Sequence, residues 1–347
     1  MVSTFGIIGS GSWATALVKI LTDNHHSVNW LVRSKEMMEY IGKRKHNPNY
    51  LSSVTFNTSL LTLSTDVSAV VAASDIIIIA VPSAYVVDTI TPLSKYAFFE
   101  KKIISAVKGI LPQDNVLLND YLGKEYGVAL TDYFTIMGPC HAEEVAAEKL
   151  SYLTISGVDE LKAIEIATHF KTDYINTVVN DDVYGVQFAA VLKNIYSVGS
   201  GMAHGLEYGD NFLSVFIANC ADEMAGFLHK VGIHNMQVGV HDGEDPFTHK
   251  RKTNYAASVY LGDLLVTCYS LYSRNRTFGT MIGKGNSVKI AQMEMNMVAE
   301  GYNASKCIYA INKNIQSEMP IATTIYKILW EQLSPVEGFK QIEQGVI

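Results

Sequence analysis

Residues 262–285 place Asp263, the run Leu264-Leu265-Val266-Thr267-Cys268, the tetrad Ser273-Arg274-Asn275-Arg276 and four glycines in one short segment. Two guanidinium groups, a hydroxyl and an amide within four residues form a donor-rich receptor for phosphate or carboxylate, because the planar fork of Arg matches such oxyanions. A polar cluster met alone more often faces water. Its meaning therefore depends on what other chemistry the chain carries.

A second group begins at Gly9-Ser10-Gly11-Ser12-Trp13-Ala14. The form is GxGxxA. Without a Cβ at Gly9 and Gly11 the chain can turn tightly and bring backbone N–H groups against a pyrophosphate, and the helix that follows offers its positive end. The motif is weak alone, but here it follows an apolar strand and opens a helix inside a βαβ unit, the context in which it binds dinucleotides. At the end of the next strand an acidic residue would hold the ribose hydroxyls of NAD. This chain has Arg33 instead. Its guanidinium suits the 2′-phosphate of NADP, stacking on adenine, or plain solvent; NADP is favoured, NAD stays open, and Glu36 is the alternative ribose partner.

Three further groups sit where ligands collect. Lys108-Gly109 follows one strand and Gly138-Pro139-Cys140-His141-Ala142 another, and in a doubly wound sheet the carboxyl ends of strands face the ligand. Cys140 beside His141 invites a nucleophile reading, but adjacency in sequence is no dyad. Lys193-Asn194 lies inside an otherwise apolar helix, 186–198. A lysine in that setting either snorkels to water or points into a cleft. In a cleft it could give a proton to an alkoxide formed by hydride addition to a ketone, and partial burial beside another cation would favour that transfer.

The elements that must position these groups change character along the chain. Residues 5–8, 27–32, 75–81, 103–107, 133–137, 152–156 and 174–178 read as strands, with helical stretches between the early ones, and the continuous runs 75–81, 103–107 and 133–137 suit strands covered on both faces. From Asp181 onward apolar residues recur at helical spacing. The predicted architecture is α/β: a Rossmann-type doubly wound sheet over residues 1–185, then an all-α domain over residues 186–347, with no Pro-, Gly- or Ser-rich linker at the join.

Composition narrows the function classes. The 347 residues are 48% hydrophobic and 18% charged, which describes a globular protein of about two domains. Formal net charge is -7, and the longest basic runs are Lys43-Arg44-Lys45 and 249–252, which argues against nucleic acid as a partner. Cys140, Cys220, Cys268 and Cys307 are far apart with no metal-ligand spacing, so neither a metal site nor a disulfide framework is expected. No apolar stretch reaches about 18 residues and the chain enters its first strand almost at once. The expectation is a cytoplasmic protein without stable membrane insertion, and apolar helices in the second domain are compatible with a homodimer.

In order, the GxGxW turn, Lys-Gly after a strand, Gly-Pro-x-x-Ala-x-Glu-Val, Lys-Asn on a helix, Gly209-Asp210-Asn211, Gly-Asp-Leu and Ser-Arg-Asn-Arg resemble NAD(P)-dependent glycerol-3-phosphate dehydrogenase over nearly the whole chain. The resemblance implies interconversion of dihydroxyacetone phosphate and sn-glycerol 3-phosphate with NAD(P)H, supplying glycerophospholipid synthesis, with no metal. It implies Lys193 as the general acid/base. Substrate contacts implied are Lys108, Gly138, Cys140, Lys193, Asp263, Ser273, Arg274 and Asn275. Cofactor contacts implied are Gly9, Gly11, Ser12, Trp13, Arg33, Lys108, Ala142 and Arg274, with Val298 and Glu300 from a later Val-Ala-Glu-Gly segment. Arg276 keeps the reading of a solvated residue.

Three places depart from the family pattern. Cys140 stands where Ser or Thr is usual and is a poorer hydrogen-bond donor. Residues 217–221 replace a usual Thr-Arg-Gly-Leu, so the role of that Arg is missing or moved, and 256–261 replace a usual Gly-Leu-Ala-Gly. Two other functions share the sequence features. One is a Rossmann-plus-helical dehydrogenase for a non-phosphorylated hydroxyacid, which would turn over without a substrate phosphate. The other is a non-catalytic NAD(P) sensor, which would bind dinucleotide and oxidise nothing.

Overall fold

The computed structural model describes residues 3–233, 259–295 and 298–346. The basic run 249–252 and residues 256–258 lie outside them. The chain divides into two compact units, residues 1–183 and 184–347.

The first unit is built on eight strands: β1 (Phe5–Ile8), β2 (Val28–Leu31), β3 (Leu61–Ser64), β4 (Ile76–Ile79), β5 (Lys102–Ser105), β6 (Tyr133–Met137), β7 (Ser151–Ser156) and β8 (Ile175–Asn180). Their spatial order is β3-β2-β1-β4-β5-β6-β7-β8. All pairings are parallel except β6 with β7. Helices α1 (Ser12–Asp23), α2 (Lys35–Arg44), α3 (Val67–Ala72), α4 (Val86–Ile90), α5 (Leu118–Tyr126), α6 (Ala142–Ala146) and α7 (Glu160–Phe170) connect them.

β4 shows why its sequence is apolar throughout. Side chains alternate along a strand, so Ile76 and Ile78 enter one core with Leu17 and Val18 of α1 and Ile166 of α7, while Ile77 and Ile79 enter another with Ile90 of α4 and Leu122 of α5. A strand covered by helices on both faces needs no polar side. β1 lies between β2 and β4, so chain direction across the sheet reverses there and leaves a crevice at the carboxyl ends of β1 and β4.

The second unit is helical: α8 (Val183–Gly205), α9 (Asp210–Lys230), α10 (Leu261–Tyr269), α11 (Arg274–Gly283), α12 (Val288–Glu294), α13 (Glu300–Ile315), α14 (Pro320–Trp330) and α15 (Pro335–Gly345). Among the described residues no helix is long and apolar enough to cross a membrane. Helices α8 and α11 meet backbone to backbone. A Cβ on Gly201 would lie 2.0 Å from the Arg276 carbonyl oxygen, one on Gly279 2.0 Å from that of Val198, and one on Gly283 2.4 Å from that of Met202. That contact explains two of the glycines in segment 262–285: they admit the lysine-bearing helix. Glu223 of α9 is buried and accepts from the Ile321 N–H at 2.7 Å, the Ala322 N–H at 2.9 Å and the Tyr196 hydroxyl at 3.1 Å. It thereby caps the start of α14. Burial outweighs these donors and pushes its carboxyl up to about 7.

Candidate functional site

In the first unit the glycine turn leaves β1 at the crevice. Gly9 has φ +129°, and a Cβ there would lie 2.5 Å from the Ala80 carbonyl oxygen just past β4; only glycine fits. The turn is held from three sides. Trp30 Nε1 donates to the Gly9 carbonyl at 2.7 Å, Asn47 Nδ2 donates to Ser10 O at 3.2 Å and to Thr15 Oγ1 at 2.8 Å, and the Thr15 hydroxyl donates to Gly11 O at 2.8 Å. Trp30 and Asn47 carried no signal in the sequence reading. Both are buried, and their roles arise from positions distant in sequence.

Gly11 precedes α1 with no side-chain cap and no acidic residue in the helix's first turn. The positive end of α1 is therefore available to an anion. Nothing lies within 4 Å of where a Gly11 Cβ would be, so its missing side chain serves no internal packing. The Trp13 indole N–H is buried and has no acceptor among the described residues. Lys108 Nζ lies 5.5 Å from the centroid of the Trp13 ring and donates to the Gly138 carbonyl at 3.5 Å. Gly138, at φ +119°, would place a Cβ 2.7 Å from Tyr152 O, which fixes glycine there. Trp13, Lys108 and Gly138 thus gather at one place. Cys140 is buried close by in sequence, and Ala142 starts α6.

Arg33 is exposed beyond the end of β2, directly before Ser34, which caps α2 by accepting from the Met37 N–H at 3.2 Å. Glu36 is held below its ordinary value first by a hydrogen bond from Ser34 and then by its own backbone N–H. The features of this region fit a dinucleotide: a turn that admits close approach, an uncapped helix start, an unspent indole donor and a cation at the end of β2.

In the second unit Lys193 of α8 is 4% exposed and Asp263 of α10 is 1% exposed. Lys193 Nζ donates a short hydrogen bond to Asp263 Oδ1 and a second, of 3.1 Å, to Thr267 Oγ1. Thr267 lies one helical turn beyond Asp263 and donates its own proton to the Asp263 carbonyl at 2.6 Å. Its lone pairs are therefore turned to the ammonium. Asp263 Oδ2 is buried and accepts no hydrogen bond among the described residues. This leaves an acceptor beside a proton donor, an arrangement able to hold a hydroxyl and exchange a proton with it.

Asn194 and Asn275 continue the cluster. Asn275 Nδ2 donates to Asn194 Oδ1 at 2.9 Å, and Asn275 Oδ1 accepts from the Gly301 N–H at 3.0 Å. The Asn275 carboxamide thus ties α8, α11 and the start of α13, where Glu300 stands in the first turn and Val298 two residues before it. Ser273 caps α11 by accepting from the Arg276 N–H at 3.3 Å. Arg274, the first residue of α11, is exposed.

Arg276 is half-buried and donates Nη1 to the Tyr269 carbonyl at 2.9 Å, closing the end of α10. The run 264–268 buries Leu264, Thr267 and Cys268, while Leu265 is 38% exposed. Sequence reading missed Thr267, whose signal is its spacing of four from Asp263 on one helix face. The four cysteines form no disulfide and are buried. Burial pushes the Cys268 thiol up to about 12 and that of Cys307 up to about 11, which removes both as nucleophiles.

Comparison with known proteins covers both units. The family model for the NAD-dependent glycerol-3-phosphate dehydrogenase N-terminus matches residues 4–163, and that for the C-terminus matches residues 182–340. A glycerol-3-phosphate dehydrogenase [NAD(P)+] of Oceanobacillus iheyensis is 30% identical over 336 residues, spanning 97% of this chain and 92% of that protein. The enzyme of the same name from Thermoanaerobacter sp. is 32% identical over 337 residues, spanning 96% and 94%. Among solved structures, glycerol-3-phosphate dehydrogenase from Coxiella burnetii superposes with a TM-score of 0.86 at 25% identity, over 98% of each chain.

Proposed function

The chain belongs to the NAD-dependent glycerol-3-phosphate dehydrogenase family, and on that premise we propose that it interconverts dihydroxyacetone phosphate and sn-glycerol 3-phosphate, with Lys193 moving the proton. When bound, the reduced nicotinamide of NAD(P)H supplies a hydride to C2 of the ketone. As the C2 oxygen gains charge, Lys193 Nζ gives it a proton; in the oxidising direction the neutral amine takes the proton back.

Asp263 Oδ1 and Thr267 Oγ1 aim Nζ, and Asp263 Oδ2 accepts from a substrate hydroxyl. Arg274 binds the phosphate, whose binding energy aligns the reacting carbon. Lys108, Gly138, Cys140, Ser273 and Asn275 complete the substrate contacts in this reading. Gly9, Gly11, Ser12, Trp13, Arg33, Lys108, Ala142, Arg274, Val298 and Glu300 hold the cofactor, with Arg33 favouring the 2′-phosphate of NADP. The product would feed glycerophospholipid synthesis in the cytoplasm.

The observation that carries this reading is the buried cluster of Lys193, Asp263 and Thr267. A buried ion pair adds little net stability over apolar residues of the same size, so its presence in an apolar helix bundle is best explained by proton transfer. The test is consumption of NADH and of NADPH, in separate assays, with dihydroxyacetone phosphate. Turnover supports the reading. Absence of turnover with either cofactor, or equal turnover of a ketone lacking phosphate, removes it.

A further inference from the structure

Ser197 lies one turn beyond Lys193 on α8, on the same face, and is wholly buried. Its Oγ is 2.8 Å from the Thr267 carbonyl oxygen and 2.8 Å from Ser273 Oγ. Thr267 O belongs to the last turn of α10, where carbonyls lack helical partners. A carbonyl only accepts, so the single Ser197 proton goes to it. The bond to Ser273 must then run the other way, with Ser273 donating to Ser197. Ser273 Oγ also accepts from the Arg276 N–H.

The proton inventory has two consequences. The Ser273 hydroxyl is 3% exposed and already uses its one proton inside the protein. One buried hydroxyl, that of Ser197, links the helix carrying Lys193 to the helix carrying Asp263 and Thr267 and to Ser273, the cap residue of the helix carrying Arg274.

We propose that Ser197 is a positioning residue that sets the proton-donating lysine and the phosphate-binding end of α11 in register through Thr267 and Ser273. The proposal rests on the reading of Lys193 and Arg274 given above. Without the hydroxyl, Thr267 O loses its capping donor and the Ser273 proton loses its acceptor. Thr267 and the start of α11 can then shift independently of Lys193.

The test is steady-state reduction of dihydroxyacetone phosphate by Ser197→Ala, Ser273→Ala and the double variant, with circular dichroism to establish folding. Ser197→Ala should lower kcat about tenfold and raise KM for dihydroxyacetone phosphate several-fold, the scale of one lost buried hydrogen bond. Its dissociation constant for NADPH should stay within about twofold. Because the two hydroxyls act through each other, the double variant should be less impaired than the product of the two single effects. Ser197→Cys keeps the volume with a weak donor and should fall between Ser and Ala; it decides the matter if the alanine variant does not fold.

A folded Ser197→Ala enzyme with unchanged kcat and KM overturns the proposal, as do multiplicative effects in the double variant. A purely structural role would lower the melting temperature and leave both constants of the folded fraction unmoved. Wild-type enzyme that does not reduce dihydroxyacetone phosphate would instead overturn the reading beneath it, and this proposal with it.

Discussion

Replacing Asp263 by Asn keeps the shape of the site and removes the carboxylate that accepts from Lys193. Lys193 is 4% exposed, so water cannot substitute for the lost charge. Leaving one partner of a buried pair unmatched costs about 3–5 kcal/mol. Urea denaturation at pH 7 should therefore show Asp263→Asn less stable than wild type by about 3–5 kcal/mol. A penalty below about 1 kcal/mol, the range of an exposed pair, would refute the claim that this is a tightly buried ion pair.

Two other perturbations separate structural from ligand roles. Gly9→Ala should cost several kcal/mol, on the order of a strained φ plus a backbone clash, since its Cβ would meet Ala80 O at 2.5 Å; Gly11→Ala, with open space around its Cβ, should leave the melting temperature near wild type yet weaken NADPH at least about tenfold. Unchanged NADPH affinity in Gly11→Ala would show that the space above the turn is not the cofactor's. Glu223 titrates near 7 in the folded protein against an ordinary 4.5, so its stabilising contribution is present at low pH and is lost as pH climbs through the folded value, by about 3 kcal/mol in all. Glu223→Gln should flatten that fall between about pH 5 and pH 8 in thermal melts; parallel curves for the two proteins would contradict the assigned cause.

Strands buried on both faces were legible because nothing polar interrupts them: Ile76–Ile79 could hardly be anything else. β3 was not. Leu61–Ser64 pairs only with β2, at the edge of the sheet, and none of its residues is fully buried, so it carries no apolar run. The glycine turn, Lys108, Lys193 and segment 262–276 stood out because charge or glycine in an apolar setting is costly unless used. Ser197 and Asn47 gave no such signal, since a small hydroxyl inside a helix and an amide in a loop are ordinary until their partners, 70 and 32 residues away, are known. The bond from Arg276 to Tyr269 O was equally invisible, since its acceptor is a backbone carbonyl that sequence does not mark.

The central claim is that Lys193 supplies the proton in reduction of dihydroxyacetone phosphate. Its most direct test is kcat for that substrate measured beside the NADPH dissociation constant in Lys193→Ala. The account predicts that kcat falls by about 10²–10⁴, the range for loss of a general acid, while NADPH binds within about twofold of wild type. A variant that keeps near-wild-type kcat would contradict it.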